Sequence, residues 1–141
     1  GFDRRRQHGQ TATFFVITKT VGGDGQMTWE QLREMTEAGM SVQSHTVSHP
    51  DLTGASDERL RSELVDSRTV IAEAVGEPGY AFCYPAGAYN DRVIEAVKDA
   101  GYVMAVVTDK GTVLDPKAIF EIRRGRVQAH LSLAGFANLV D

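Results

Sequence analysis

The sequence predicts an α/β fold built on a parallel sheet or barrel, and three observations carry that expectation. Four short apolar segments rich in β-branched and aromatic residues recur along the chain. Each interval between them holds one segment with helical apolar spacing. Glycines at 39, 76 and 101 stand where those helical segments should stop. Strand–helix alternation of this kind gives parallel strands joined by helical crossovers. The 141 residues suffice for one domain with a core, so residues 1–141 are expected to form a single unit.

The elements follow in order. Gly1 to Gly9 is polar, holds Arg4, Arg5 and Arg6 in a row, and reads as the end of a helix stopped by Gly9. Thr11 to Ile17 (TATFFVI) is expected to be a strand buried on both faces. Lys19 to Met27 holds three glycines and reads as loop. Thr28 to Ala38 is a helix: Thr28 and Gln31 fit a capping box, and Trp29, Leu32 and Met35 form its apolar stripe. Met40 to Ser44 is the second strand, and His45 to Ala55, with Pro50 and Gly54, is loop. A long helix runs from Asp57 to Val75, capped by Ser56, with Leu60, Leu64, Ile71 and Val75 on its apolar side. Glu77-Pro78-Gly79 is a turn. Tyr80 to Tyr84 is the third strand, and Asn90 caps a helix to Ala100 with Val93, Ile94 and Val97 inward. Tyr102 to Val107 is the fourth strand, and Thr108 to Pro116 is loop. Glu121 to Val127 reads as a fifth strand and Ser132 to Val140 as a last helix.

Composition excludes several function classes. Fifteen basic against 19 acidic residues, net −4, argue against a dominant nucleic-acid surface. No apolar run approaches the ~20 residues of a membrane span. The lone Cys83 excludes an internal disulfide framework and, within a predicted strand, reads as a small core residue. No dinucleotide fingerprint, phosphate loop or nucleophile elbow is present. The run Gly22-Gly23-Asp24-Gly25 lacks the Lys-Ser/Thr of a phosphate loop.

In parallel α/β folds, functional groups gather at the carboxyl ends of strands. Ser44-His45-Thr46-Val47-Ser48-His49-Pro50 sits at such an end. Two imidazoles on one loop can chelate one ion, and the alternative is a chance pair. Thr46, not Glu, follows His45, and Pro50 opposes a continuing helix, so this is not the helical zinc-protease motif. Thr46 and Ser48 can bond the local backbone and stiffen the loop, or simply be polar loop residues. Tyr84-Pro85-Ala86-Gly87 leads into the helix capped by Asn90, where backbone N–H groups can stabilise an anion. By spacing alone it is an ordinary strand–turn–helix connection. Asp109, after the fourth strand, reads equally as a ligand or base and as a solvated turn residue. His130 reads as a general acid or, more simply, as a surface histidine. His8 sits among charges and reads as solvated, and Trp29 reads as packing rather than a sugar platform.

Several blocks in one order resemble the polysaccharide deacetylase family, the NodB-homology domain of carbohydrate esterase family four. TATFFVI resembles its second strand. MTWEQLREMTEAGMSVQSHTVSHPDLT resembles its helix–strand–loop block, with the metal-binding H-[ST]-x-x-H-P. FCYPAGAYNDRVIEAVKDAGY resembles its third motif in the Y-P-x-G form, and AVVTDKG and EIRRGRV resemble later strands. The resemblance implies a distorted (β/α) barrel. It implies a metal-dependent hydrolase that removes N- or O-acetyl groups from chitin-, peptidoglycan- or poly-N-acetylglucosamine-like polymers through metal-activated water. The cofactor is a divalent metal, zinc foremost, and the partner is an acetylated polysaccharide or oligosaccharide. Carried over, His45 and His49 are metal ligands and Ala86 supplies a backbone N–H to the oxyanion hole. Family habit implies secretion or the cell envelope, although no signal-peptide pattern follows Gly1.

The chain departs from the family pattern at three points. The T-F-D-D-G motif, source of the aspartate ligand and the base, has no match, and Asp3 is only a fallback. Cys83 stands where the third motif has arginine, and the late histidine motif is unrecognisable, with His130 a poor match. The barrel is therefore expected to be incomplete at its N-terminus. The alternative function is a non-catalytic member that binds glycan or metal without turnover.

Overall fold

Strands and helices alternate as the apolar pattern requires. The computed structural model describes residues 11–109, 111 and 115–124. Within them run β1 (Thr13–Val16), α1 (Trp29–Glu37), β2 (Ser41–Ser44), α2 (Asp57–Val75), β3 (Ala81–Cys83), α3 (Asp91–Asp99) and β4 (Met104–Val106). Short 3-10 turns cover Thr18–Thr20, Pro85–Gly87 and Pro116–Ala118. The first of these overlaps the start of the stretch from Lys19 to Met27 expected to be plain loop.

All three strand pairs are parallel, and their order in space follows the chain, β1-β2-β3-β4. A doubly wound sheet reverses its order partway, whereas a barrel wall does not. Ile122 continues the wall beyond β4. It bridges Val106 in parallel, with Ile122 N–H donating to Ala105 O at 3.0 Å. The expected fifth strand is thus met at its start. Residues 125–127, the expected helix Ser132–Val140 and the segment Gly1 to Gly9 lie outside the described residues.

One expectation is corrected. β1 is not buried on both faces: Thr13 is exposed, Phe14 and Phe15 are half-buried, and only Val16 is buried. The reason is position, since β1 is the edge of the described sheet and pairs there with β2 alone. The strands are also shorter than their apolar runs, because those runs extend into the approaching loops.

The helices start and stop where the caps dictate. Thr28 N–H donates to Gln31 Oε1 at 2.9 Å while Gln31 N–H donates to Thr28 Oγ1, a reciprocal capping box. Ser56 accepts from Arg59 N–H and Asn90 from Val93 N–H. Gly76 ends α2 in the left-handed region at φ 85°. Leu32 and Met35 of α1 join Val16, Val42 and Ile71 in one cluster, with Trp29 packed on its rim. Leu60 and Leu64 of α2 join Phe82, Tyr84, Val93 and Val97 in a second. Burying a side chain of this size contributes ~1.5–3 kcal/mol.

α2 also carries a polar row into the core. Ser67 Oγ lies 2.8 Å from Ser44 Oγ at the end of β2, and Tyr102 O–H donates to Leu64 O at 2.9 Å. Gln43 spans the gap between β2 and β3, which share only the Ser44–Phe82 register. Its Oε1 accepts from Tyr80 and Ala81 N–H at 2.8 and 2.7 Å. These contacts set how far the end of β2 stands from the end of β3. No described helix is long and apolar enough to cross a membrane.

Two stability predictions follow from this packing. Leu64, wholly buried between α2 and the sheet, should cost ~2–5 kcal/mol on truncation to Ala, read as a lowered midpoint in denaturant. Gly87 has φ 75°, and a Cβ there would collide with the Thr108 side chain and lie 3.2 Å from Thr108 N. Gly87→Ala should lower the melting temperature, and adding Thr108→Ala should restore part of the loss.

Candidate functional site

The carboxyl ends of β2, β3 and β4 converge on one cavity of about 370 Å³, lined by His45, His49, Ala86, Thr108 and Arg124. A neighbouring cavity of about 430 Å³ runs from there along β1 and shares His45 and Arg124. His45 leaves β2 directly. Its N–H donates to Val16 O at 2.9 Å, which keeps the β1–β2 ladder running to the last residue before the loop.

The loop then turns sharply. Thr46 has φ 69° and His49 φ 60°, both in the left-handed region. That conformation costs ~1–2 kcal/mol per non-glycine residue, and more for a β-branched one such as Thr46. Its effect is to fold the chain back so that the two imidazole rings meet edge to face, centroids 4.7 Å apart. Thr46 and Ser48 are structural participants rather than incidental polarity. Thr46 Oγ1 accepts from His49 N–H at 2.8 Å, and Ser48 O–H donates to Glu63 Oε1. The carbonyls of Thr46 and Val47 accept from Thr18 and Lys19 N–H at 3.2 and 3.0 Å.

His45 Nδ1 lies 2.7 Å from Cys83 O. A carbonyl only accepts, so Nδ1 carries the proton and Nε2 keeps its lone pair. A metal-ligating histidine shows the same arrangement, its second nitrogen donating to a backbone carbonyl. Burial pushes the His45 pKa down; the Cys83 carbonyl opposes this, while His49 and Arg124 add to it. The ring is therefore neutral near pH 7 and able to ligate. The pair's donor set fits a divalent cation such as zinc. Among the described residues, no group of three His, Cys, Asp or Glu side chains is gathered to hold an ion.

Ala86 sits across the cavity in the turn after β3, with φ 54° and ψ 7°. Gly87 and Ala88 N–H donate to Tyr84 and Pro85 carbonyls at 3.0 Å each. Among the described residues, the Ala86 N–H finds no acceptor. Thr46, His49 and Ala86 are the three non-glycine residues with positive φ among the described residues, and all three belong to this one site. Strained backbone persists only where the surrounding structure over-determines it.

The remaining sequence candidates fall as follows. Asp109 is exposed beside the site and lies outside the cavity lining; its carbonyl accepts from Arg124 N–H at 3.2 Å. His130 and Asp3 lie outside the described residues. Cys83 is buried, as a core residue should be, and burial pushes its thiol pKa up. Its Sγ accepts from Arg124 Nη2 at 3.7 Å. Sequence reasoning missed Arg124, Thr108 and Glu63. Glu63 had a signal: it falls on the buried stripe of α2, beside Leu60 and Leu64, where a carboxylate needs a partner.

Comparison with known proteins places this geometry in context. The family model for polysaccharide deacetylase matches residues 4–105. The chain is 30% identical over 136 residues to the YxkH protein of Bacillus subtilis, covering 96% of this chain and 49% of that protein. It is 34% identical over 100 residues to a peptidoglycan-N-acetylglucosamine deacetylase of Bacillus cereus, covering 71% of this chain and 45% of that protein. The chain thus spans about half the length of these two relatives. Its fold superposes on the Streptococcus pyogenes deacetylase PplD, solved in complex with acetate, with a TM-score of 0.92 and 28% identity. That match covers 99% of this chain and 63% of PplD. A family match over most of the chain and a closely superposing fold lead to one conclusion: the chain belongs to the polysaccharide deacetylase family.

Proposed function

We propose that this site removes acetyl groups from an acetylated cell-envelope polysaccharide, with His45 and His49 as two ligands of a divalent cation, zinc foremost. The single observation that carries the proposal is the meeting in one cavity of the paired imidazoles and an Ala86 N–H that has no acceptor among the described residues, with His49 and Ala86 both on left-handed backbone. When bound, such a cation lowers the pKa of water and polarises an acetyl carbonyl.

The chain's own residues do the rest. The Cys83 carbonyl keeps the His45 proton on Nδ1 and turns Nε2 towards its ligand role. His49, brought beside it by the loop, supplies the second imidazole. Ala86 N–H donates to the acetyl oxygen as negative charge develops there, a role that needs only backbone. Gly87, in contact with Thr108, lets the turn carrying that N–H approach the cavity wall. Arg124 places a guanidinium on the cavity wall, suited to a carboxylate or to the acetate released. Secretion or attachment at the envelope follows from such a substrate.

Three expected outcomes test this. Elemental emission on the purified protein should find zinc or another divalent metal, and His45→Ala should lose it. Unchanged metal in that variant removes the ligand assignment. The full-length protein should release acetate from N-acetylglucosamine oligomers, and metal uptake without acetate release would identify a binding member instead. The third concerns pH. The folded pKa of His45 is depressed below the ordinary ~6.5. The unfolded chain therefore binds this proton first as pH falls. Metal-free stability should decline as pH drops through ~6.5 and level off below the folded pKa. His45→Gln should remove that share of the pH dependence, measured by denaturant unfolding in chelator.

A further inference from the structure

We propose that Glu63, a buried carboxylate on α2, is a positioning residue that sets the direction of His49. The inference rests on the metal-site reading above and adds a residue that no catalytic or ligand role requires.

The two imidazoles are held differently. The ring of His45 is fixed directly, by its bond to Cys83 O at 2.7 Å. Among the described residues, the ring of His49 has no hydrogen-bond partner. Its direction is therefore set by the backbone that carries it, at φ 60°. That backbone is clamped from two sides. The carbonyls of Thr46 and Val47 are held by the turn at Thr18–Thr20. The N–H groups of Val47 and Ser48 both donate to Glu63 Oε2, at 3.0 and 2.9 Å, and Ser48 O–H donates to Oε1. One carboxylate thus takes up three donors from the two residues between Thr46 and His49. Successive N–H groups converging on one anionic oxygen are a recurrent way to fix a non-regular turn.

Glu63 is an expensive way to build a helix. It is 5% exposed and occupies a core position between Leu60 and Leu64. Its cationic neighbour Arg59 stands 3.6 Å away with a largely exposed side chain, so that pair compensates little of the burial. An apolar residue at this position would pack at least as well. What an apolar residue cannot do is accept from Val47 and Ser48. The carboxylate therefore serves the loop rather than the helix.

The test uses the full-length protein and four variants: Glu63→Gln, Glu63→Asp, Glu63→Ala and Arg59→Ala. Gln keeps an oxygen for both N–H groups and offers Nε2 to the Ser48 oxygen, so it should hold zinc within ~3-fold of wild type. Asp, shorter by one methylene, and Ala should weaken zinc binding by ~10–100-fold, measured by competition with a chelating dye. Arg59→Ala should leave it unchanged. Hydrogen exchange of the metal-free protein gives an independent readout: Val47 and Ser48 amides should exchange faster in Asp and Ala but not in Gln. A merely structural role would lower the melting temperature and leave the zinc affinity of the folded variant alone. Wild-type affinity in both Asp and Ala, or equal weakening in Gln and Ala, would overturn the proposal. Should wild type itself bind no zinc, the metal reading fails, and the exchange data alone judge Glu63: unchanged Val47 and Ser48 exchange in Asp overturns it. The Asp variant keeps a charged helix position and guards against an Ala variant that does not fold.

Discussion

The backbone reversal at Thr46 is the constraint on which the rest of the site depends. A strand that simply ran on would carry His49 away from His45 along the sheet edge. Two left-handed residues fold it back instead, and the rings meet at 4.7 Å. Such a turn is unfavourable in isolation, so it persists only where its surroundings outbid it. Here they come from four directions. Ser44 Oγ accepts from Thr46 N–H at 3.2 Å, and Thr46 Oγ1 accepts from His49 N–H. The turn after β1 holds the loop's carbonyls, and α2 holds its N–H groups. One anchor is the loop's own Thr46 hydroxyl and the other three belong to β2, the turn after β1 and α2, so the loop is rigid only when the sheet and α2 are correctly docked.

That dependence explains the polar row on α2. Glu63 and Ser67 are one helical turn apart and both buried. Ser67 bonds Ser44, the residue before His45, and Glu63 bonds the two residues before His49. The helix thus grips the loop at its base and near its far end. Leu60, Leu64 and Ile71 supply the apolar contact that holds the helix against the sheet. Packing and positioning are interleaved on one surface, so loosening the first degrades the second.

Much of this was legible in the sequence, and the parts that were not have a physical reason. The caps at Thr28, Ser56 and Asn90 and the stop at Gly76 are local chemistry, and the helices begin and end at them. The histidine pair was visible because both ligand candidates lie on one short loop. β1 was misjudged because an apolar run reports the tendency to be buried, not which neighbours are present to bury it. Glu63 and Arg124 escaped because their partners are distant in sequence: Glu63 meets Ser48 across 15 residues and Arg124 meets Cys83 across 41. No local pattern carries such a pairing, although a carboxylate on an apolar helical stripe announces that one must exist.

Cys83 shows how a side chain can give way while its backbone role persists. As a residue type it is a small buried filler whose thiol burial holds protonated. Its carbonyl nevertheless orients His45, and its sulfur lies against the guanidinium of Arg124. The arginine comes from the segment after Ile122, the residue that extends the wall beyond β4. The cation at this position is thus delivered across the barrel wall rather than from β3 itself. Its placement relies on the ladder between Ile122 and β4 and on the Arg124 N–H bond to Asp109 O. The site's charge therefore depends on a strand junction far along the chain, while His49 depends on α2 and the His45 ring on the carbonyl of Cys83. The two meet at Cys83, whose carbonyl holds His45 and whose sulfur contacts Arg124, so the placement of the guanidinium and of the first imidazole is coupled through β3.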